Sequence, residues 1–300
     1  MKISVGKKIY TFLKAYQHDD TYRIALDQLA QKTFDISFEA WYQAGYWNKT
    51  CVPYTLFDDE KAISNIFVNL MDFDVLGQKQ RYIQLGTVMT DEHYRNQGLN
   101  RLLMEKVLED WDQQCDLIYL YANKTVLDFY PKFGFTPAKE YVHFKKITGA
   151  INSDSKKLNM DSQVSRDLLY DYAKNTAFFG QISMQGNADL VMFYYTSFFK
   201  EDVYYLKSLD AIAVAKLNGE QLHLLDVFAK KEVALDDIIY ALATSQTDEV
   251  LLGFTPKDCN GFETKERVSD DTLFVQQGKT LLFNNVLTLY CTPTYTMPVN

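Results

Sequence analysis

Between Thr87 and Met104 the chain reads Thr-Val-Met-Thr-Asp-Glu-His-Tyr-Arg-Asn-Gln-Gly-Leu-Asn-Arg-Leu-Leu-Met. A strand-like run ends there in a polar turn containing one glycine, and a helical repeat of leucines begins directly after it. That order suits an anion site. The first N–H groups of a helix have no intrahelical partner, they point the same way, and the helix dipole favours negative charge beside them. Gly98 carries no side chain, so the backbone there can approach a phosphate closely. An ordinary strand-to-helix turn has the same composition, and on these residues alone both readings stand. Metal or thiol chemistry finds less support. Cys51, Cys115, Cys259 and Cys291 are scattered with no C-x-x-C pair, and His93 and His143 have no ligand at metal spacing. No metal is therefore expected, and the cysteines read as free thiols.

The flanking elements must hold that turn in place. Lys8–Lys14 reads as a strand, followed by a helical stretch in which Tyr22, Ala25, Leu26 and Leu29 recur at three- and four-residue spacing. Phe38, Trp41, Tyr42 and Gly45 repeat the spacing, with Ser37 available as a cap. Strands are expected at Tyr54–Asp58, Ile63–Val75 and Tyr82–Thr90, with a hairpin turn near Gly77. After Gly98, Leu99, Leu102, Leu103, Val107, Leu108 and Trp111 share one helical face, away from Arg101, Glu105, Glu109 and Asp110. Leu117–Ala122 suits a buried strand. Asn123 can cap a further helix that Gly134 ends, and Tyr141–Lys145 reads as the last strand of this half. The result is an α+β fold with a mixed sheet.

Three hundred residues, 47% of them apolar, are enough for two packed domains of ordinary size. Small polar residues from Thr148 to Ser165 mark a boundary, giving domains 1–150 and 165–300. A net charge of −8 argues against a polyphosphate backbone as partner, because such binding draws on Lys/Arg patches. The first residues lack a signal-peptide pattern and no apolar run approaches membrane-spanning length, so a cytoplasmic protein with no nucleic-acid or membrane partner is expected.

Arg95-Asn-Gln-Gly-Leu-Asn100 resembles the R/Q-x-x-G-x-G/A motif of the GNAT superfamily of N-acetyltransferases. Downstream, the stretch from Asn123 through Tyr130 to Gly134-Phe135 resembles that family's second signature. The resemblance covers roughly residues 1 to 147. It implies that the Val88, Met89 and Thr90 backbone pairs with the pantetheine arm of acetyl-CoA, and that Arg95, Asn96, Gln97, Gly98, Leu99, Asn100 and Arg101 hold the pyrophosphate. It places Asn123 near the cofactor arm and makes Tyr130 the acid that protonates the departing CoA thiolate. Asn100 departs from the family's Gly or Ala and puts a larger side chain where the pyrophosphate approaches. The implied reaction is direct attack by an amine on the thioester in a ternary complex, the acceptor being a small molecule or peptide.

A base must first remove the ammonium proton, yet the strand that carries a Glu in some members offers Gln84, Gly86 and Thr87 here. Glu92, Asp72 and Asp74 are the candidates, beside a water relay. Trp41, Tyr42, Tyr46 and Trp47 occupy the region that covers the acceptor in this family, where they either contact substrate or pack the core. The missing base leaves a second reading open, a non-catalytic acyl-CoA-binding or interaction protein on the same fold.

The second half repeats the order of signals. Helices are expected at Arg166–Lys174, Ala188–Phe199 and Leu235–Ala243, and strands at Asp210–Leu217, Gln221–Phe228 and Val250–Phe254. It reads as a degenerate GNAT-like unit, a different small α+β domain being the alternative. Lys230-Lys-Glu-Val-Ala-Leu-Asp-Asp stands where the glycine turn would be, so one acetyl-CoA per chain is expected.

Overall fold

The computed structural model describes residues 1–148, 155–177, 179–276 and 278. Cys291 and residues 149–154 of the polar boundary segment lie outside them. The first half runs β1 (Lys2–Val5), β2 (Lys8–Lys14), α1 (Asp20–Phe34), α2 (Glu39–Gln43), β3 (Cys51–Asp58), β4 (Lys61–Val75), β5 (Gln78–Thr90), α3 (Leu99–Trp111), β6 (Leu117–Ala122), β7 (Phe135–Ala138) and β8 (Tyr141–Lys146). The second runs β9 (Ser155–Lys157), α4 (Gln163–Lys174), β10 (Ile182–Gln185), α5 (Ala188–Ser197), β11 (Val203–Leu206), β12 (Ala211–Asn218), β13 (Gln221–Ala229), α6 (Leu235–Leu242), β14 (Glu249–Leu252), β15 (Glu263–Glu266) and β16 (Thr272–Gln276).

Two mixed sheets result, ordered β1-β2-β3-β4-β5-β6-β16-β7 and β15-β8-β14-β13-β12-β11-β9, with β10 pairing β4 at the end of its long hairpin. Alternation along the first sheet separates two cores. Leu99, Leu103, Met104 and Val107 of α3 pack on one face with Ile66, Val68, Ile83 and Ile118. Leu26, Leu29 and Trp41 pack on the other with Phe67, Met71 and Tyr82, where α5 adds Met192 and Phe193. Asp19 caps α1, accepting from the Thr21 and Tyr22 N–H groups, and Asp35 ends it in the left-handed region.

The expected helix between Asn123 and Gly134 is instead a run of turns closed by one 3-10 turn, Tyr130–Phe133. Pro131 explains this. It has no N–H to return to Leu127 and its ring would crowd that carbonyl. Asn123 Oδ1 is occupied locally, accepting from Thr125 N at 3.0 Å and Thr125 Oγ1 at 2.6 Å.

Sheet pairing crosses the polar segment near residue 150 in both directions. β8, expected to finish the first half's sheet, lies between β14 and β15 in the second. In return β16 lies between β6 and β7 in the first. The two crossover segments run side by side: Arg267 N donates to Glu140 O at 2.8 Å, and Lys139 Nζ meets Glu266 at 2.8 Å.

Candidate active site

β5 and β6 run parallel and pair only from Tyr82–Leu85 against Leu117–Leu120. Past that point they separate. β5 stays with β4, Met89 opposite Asn65 and Thr90 opposite Ser64, while β6 stays with β16. One backbone edge of Gly86–Thr90 is thus without a strand partner among the described residues. The β4–β5 register shifts between Asn65 and Phe67, and Thr87 sits in the shift at φ 47°. A β-branched residue at positive φ is a genuine outlier, a strain of about 1–3 kcal/mol that the surroundings must hold. Asn65 Nδ2 helps to hold it, donating to Thr87 O at 3.2 Å.

A cavity of about 880 Å³ opens in the split and takes lining residues from both cores, so it passes through the sheet. Val88, Met89, Thr90, Arg95, Asn96, Gly98, Leu99, Asn100, Arg101, Asn123 and Tyr130 all line it. Gln97 does not; its Oε1 accepts from the Tyr10 hydroxyl at 3.2 Å. Asn96 and Gly98 both have positive φ, 61° and 79°, and α3 starts with no side-chain cap. Its first N–H groups therefore face the cavity uncapped, the form of an anion nest. Asn100 does not fill that nest, because Ser64 Oγ donates to its Oδ1 at 2.7 Å and draws the side chain against β4.

Tyr130 is held by rings, Phe129 at 5.2 Å and Phe274 of β16 at 5.7 Å. Only 4% of it is exposed. Burial pushes its phenol above the ordinary range, so it stays protonated.

The expected base candidates lie elsewhere. Asp72 makes two hydrogen bonds with Arg81, at 2.7 and 2.9 Å, and Asp74 accepts from Gly77 N at 2.8 Å. Glu92 pairs with Lys32 at 2.7 Å, which holds its carboxyl below the usual range. None of the three lines the cavity. Among the described residues, the carboxylates that do are Asp128 and Asp271. Burial, then the neighbouring Asp270, raises Asp271. Of the four aromatic candidates Trp41 reaches the cavity wall. Trp47 packs in the core, Tyr46 lies against Tyr170, and Tyr42 lies under the Arg23 guanidinium at 3.8 Å.

Residues 13–138 match the family described as acetyltransferase (GNAT) domain. The chain contains a GNAT acetyltransferase domain over these residues. The chain is accordingly an acyltransferase. Solved structures similar in fold include a probable N-acyltransferase from Enterococcus faecalis V583, with TM-score 0.58 and 14% identity over 89% of this chain and 71% of that one. Eis1 from Mycobacterium abscessus has TM-score 0.52 and 12% identity over 89% and 73%. A GCN5-related N-acetyltransferase from Kribbella flavida has TM-score 0.52 and 12% identity over 88% and 71%. No curated protein matches the sequence.

The GNAT-like architecture recurs in the second sheet without its opening. β13 and β14 pair in parallel only at Gln221–Leu224 against Glu249–Leu252, and β12 and β13 shift register opposite the end of that pairing. There the strands stay together, because Gly253 N donates to Leu224 O at 2.8 Å. The approach is so close that a Cβ on Gly253 would lie 2.7 Å from Leu225 O. A cavity of about 50 Å³ remains nearby.

Proposed function

We propose that the chain transfers the acetyl group of acetyl-CoA to a primary amine by direct attack within a ternary complex. The carrying observation is the split between β5 and β6, whose free backbone edge leads to the uncapped start of α3. The pantetheine arm would pair with Val88 and Thr90 as an added strand, alongside Met89. The segment Arg95–Arg101 would hold the pyrophosphate through its backbone, and Asn123 would flank the arm.

The amine nitrogen attacks the thioester carbon, a C–N bond forms, and the C–S bond breaks with its electron pair passing to sulfur. Tyr130 gives its hydroxyl proton to that sulfur and regains one, through water, from the nitrogen. Because the phenol is a weaker acid than a thiol, its proton passes to sulfur only in concert with return of the proton from the attacking nitrogen, which attack makes strongly acidic, so that no phenolate accumulates.

Thermal unfolding tests the binding step. A ligand at 100 times its Kd adds about 2.7 kcal/mol to the folded state. CoA should therefore raise the melting temperature of the wild type but not that of Gly98→Glu, which sets bulk and negative charge in the nest. No shift for a folded wild type in excess CoA would overturn the proposal.

A further inference from the structure

The cavity wall on the α1 side of the sheet is built by both halves. Phe38 and Trp41 come from the α2 segment, and Leu190, Phe193, Tyr194 and Phe198 from α5 and its end. Phe193 stacks on Phe38 at 5.4 Å and meets Trp41 at 5.1 Å. The charged lining residues among the described ones are Arg95, Arg101, Asp128, Lys132 and Asp271, which belong to the α3 turn, the segment after β6 and the approach to β16. None comes from α1, α2, α5, β3 or β4. The described polar residues on this side are Thr33, Gln84, Tyr194 and Asn69, and the Oδ1 of Asn69, on β4, is buried without a hydrogen-bond partner.

Among the described residues, this wall offers an alkylammonium no carboxylate to replace its lost water or to take its proton, Asp128 and Asp271 lying on the other side of the cavity. An aryl amine meets neither obstacle. It is neutral near pH 7, its ring suits edge and face contacts with aromatic side chains, and its N–H can donate to a buried carbonyl oxygen.

We propose that the acceptor is a weakly basic amine on an aromatic body, its ring against Phe38, Trp41, Phe193 and Phe198 and its N–H directed to Asn69. This rests on the acetyl-transfer reading above. The neutral nitrogen attacks without prior deprotonation, the C–S bond breaks as the C–N bond forms, sulfur takes a proton from Tyr130, and the nitrogen's proton returns through water to Tyr130. The products are an N-aryl amide and CoA.

Release of CoA from acetyl-CoA by the full-length chain decides the matter, with 4-methylaniline set against its isomer benzylamine and against spermidine. The aryl amine should show a kcat/KM at least about tenfold above either cation at pH 7, and a flat profile from pH 6.5 to 8.5. Benzylamine turnover should climb about tenfold per pH unit as its neutral fraction grows. Phe198→Asp, at a half-buried position, should move the preference toward benzylamine. Asn69→Leu should raise KM for 4-methylaniline several-fold with kcat little changed. Spermidine or benzylamine outpacing the aryl amine at pH 7, with CoA binding intact by calorimetry, overturns the acceptor class and leaves acetyl transfer standing. Absence of CoA binding overturns both.

Discussion

Tyr130 is a phenol that burial keeps protonated at the edge of the split, with the thioester sulfur as its proposed target. Tyr130→Phe should lower kcat by roughly tenfold to a thousandfold and leave the acetyl-CoA Kd nearly unchanged, because the lost hydroxyl acts as charge develops. Single-turnover kinetics with calorimetry separate the two, and wild-type turnover would make Tyr130 a packing residue. Ser64 offers a second test. Its hydroxyl draws Asn100 away from the nest, so Ser64→Ala should free that side chain and weaken CoA binding by roughly fivefold, the worth of one hydrogen bond of about 1 kcal/mol. Both signature segments were readable because each is contiguous in sequence. Phe193, Phe198 and Asp271 were not, since tertiary packing alone brings them to the cavity. Thr87 was hidden differently: a β-branched residue inside a strand pattern predicts extended backbone, and only the register shift opposite Asn65 turns it over.

At the scale of elements, sustained periodicity carried the reading. The apolar stripe of α3 and the alternation of β3 to β5 follow from spacing, whereas β9, β11 and β15 are three or four residues long and show no period to read. β15 is exposed throughout, so its pairing leaves no apolar mark. The crossover beside it holds Glu140, buried and accepting from the Tyr121 hydroxyl at 2.9 Å, with Arg267 3.6 Å away. Burial raises its carboxyl pKa, the Arg267 charge and the Tyr121 hydrogen bond only partly opposing. A raised folded-state pKa gives stability that is full below the unfolded value of about 4.3 and lost as pH rises through the folded value. Glu140→Gln keeps the acceptor without the charge. Urea unfolding should show the variant gaining on the wild type between pH 4 and 7.5, and a constant difference would mean that Glu140 ionises as freely folded as unfolded.

For the whole molecule, the open first split and the closed second one set the stoichiometry. Calorimetry should return one CoA site per chain, and two equivalent sites would refute the division of roles. The exchange of β8 and β16 reaches further, into how the chain is made. A ribosome emits β6 and β7 long before the strand that must lie between them, and residues 139–271 separate the two events. At about 5–20 residues per second that interval lasts on the order of ten seconds. Throughout it the nascent acetyltransferase sheet has a gap beside β6, with an unpaired edge of the kind that chaperones cover and neighbouring chains invade. Folding of the catalytic half is thus a late event of synthesis, completed only when nearly the last described residues have left the tunnel.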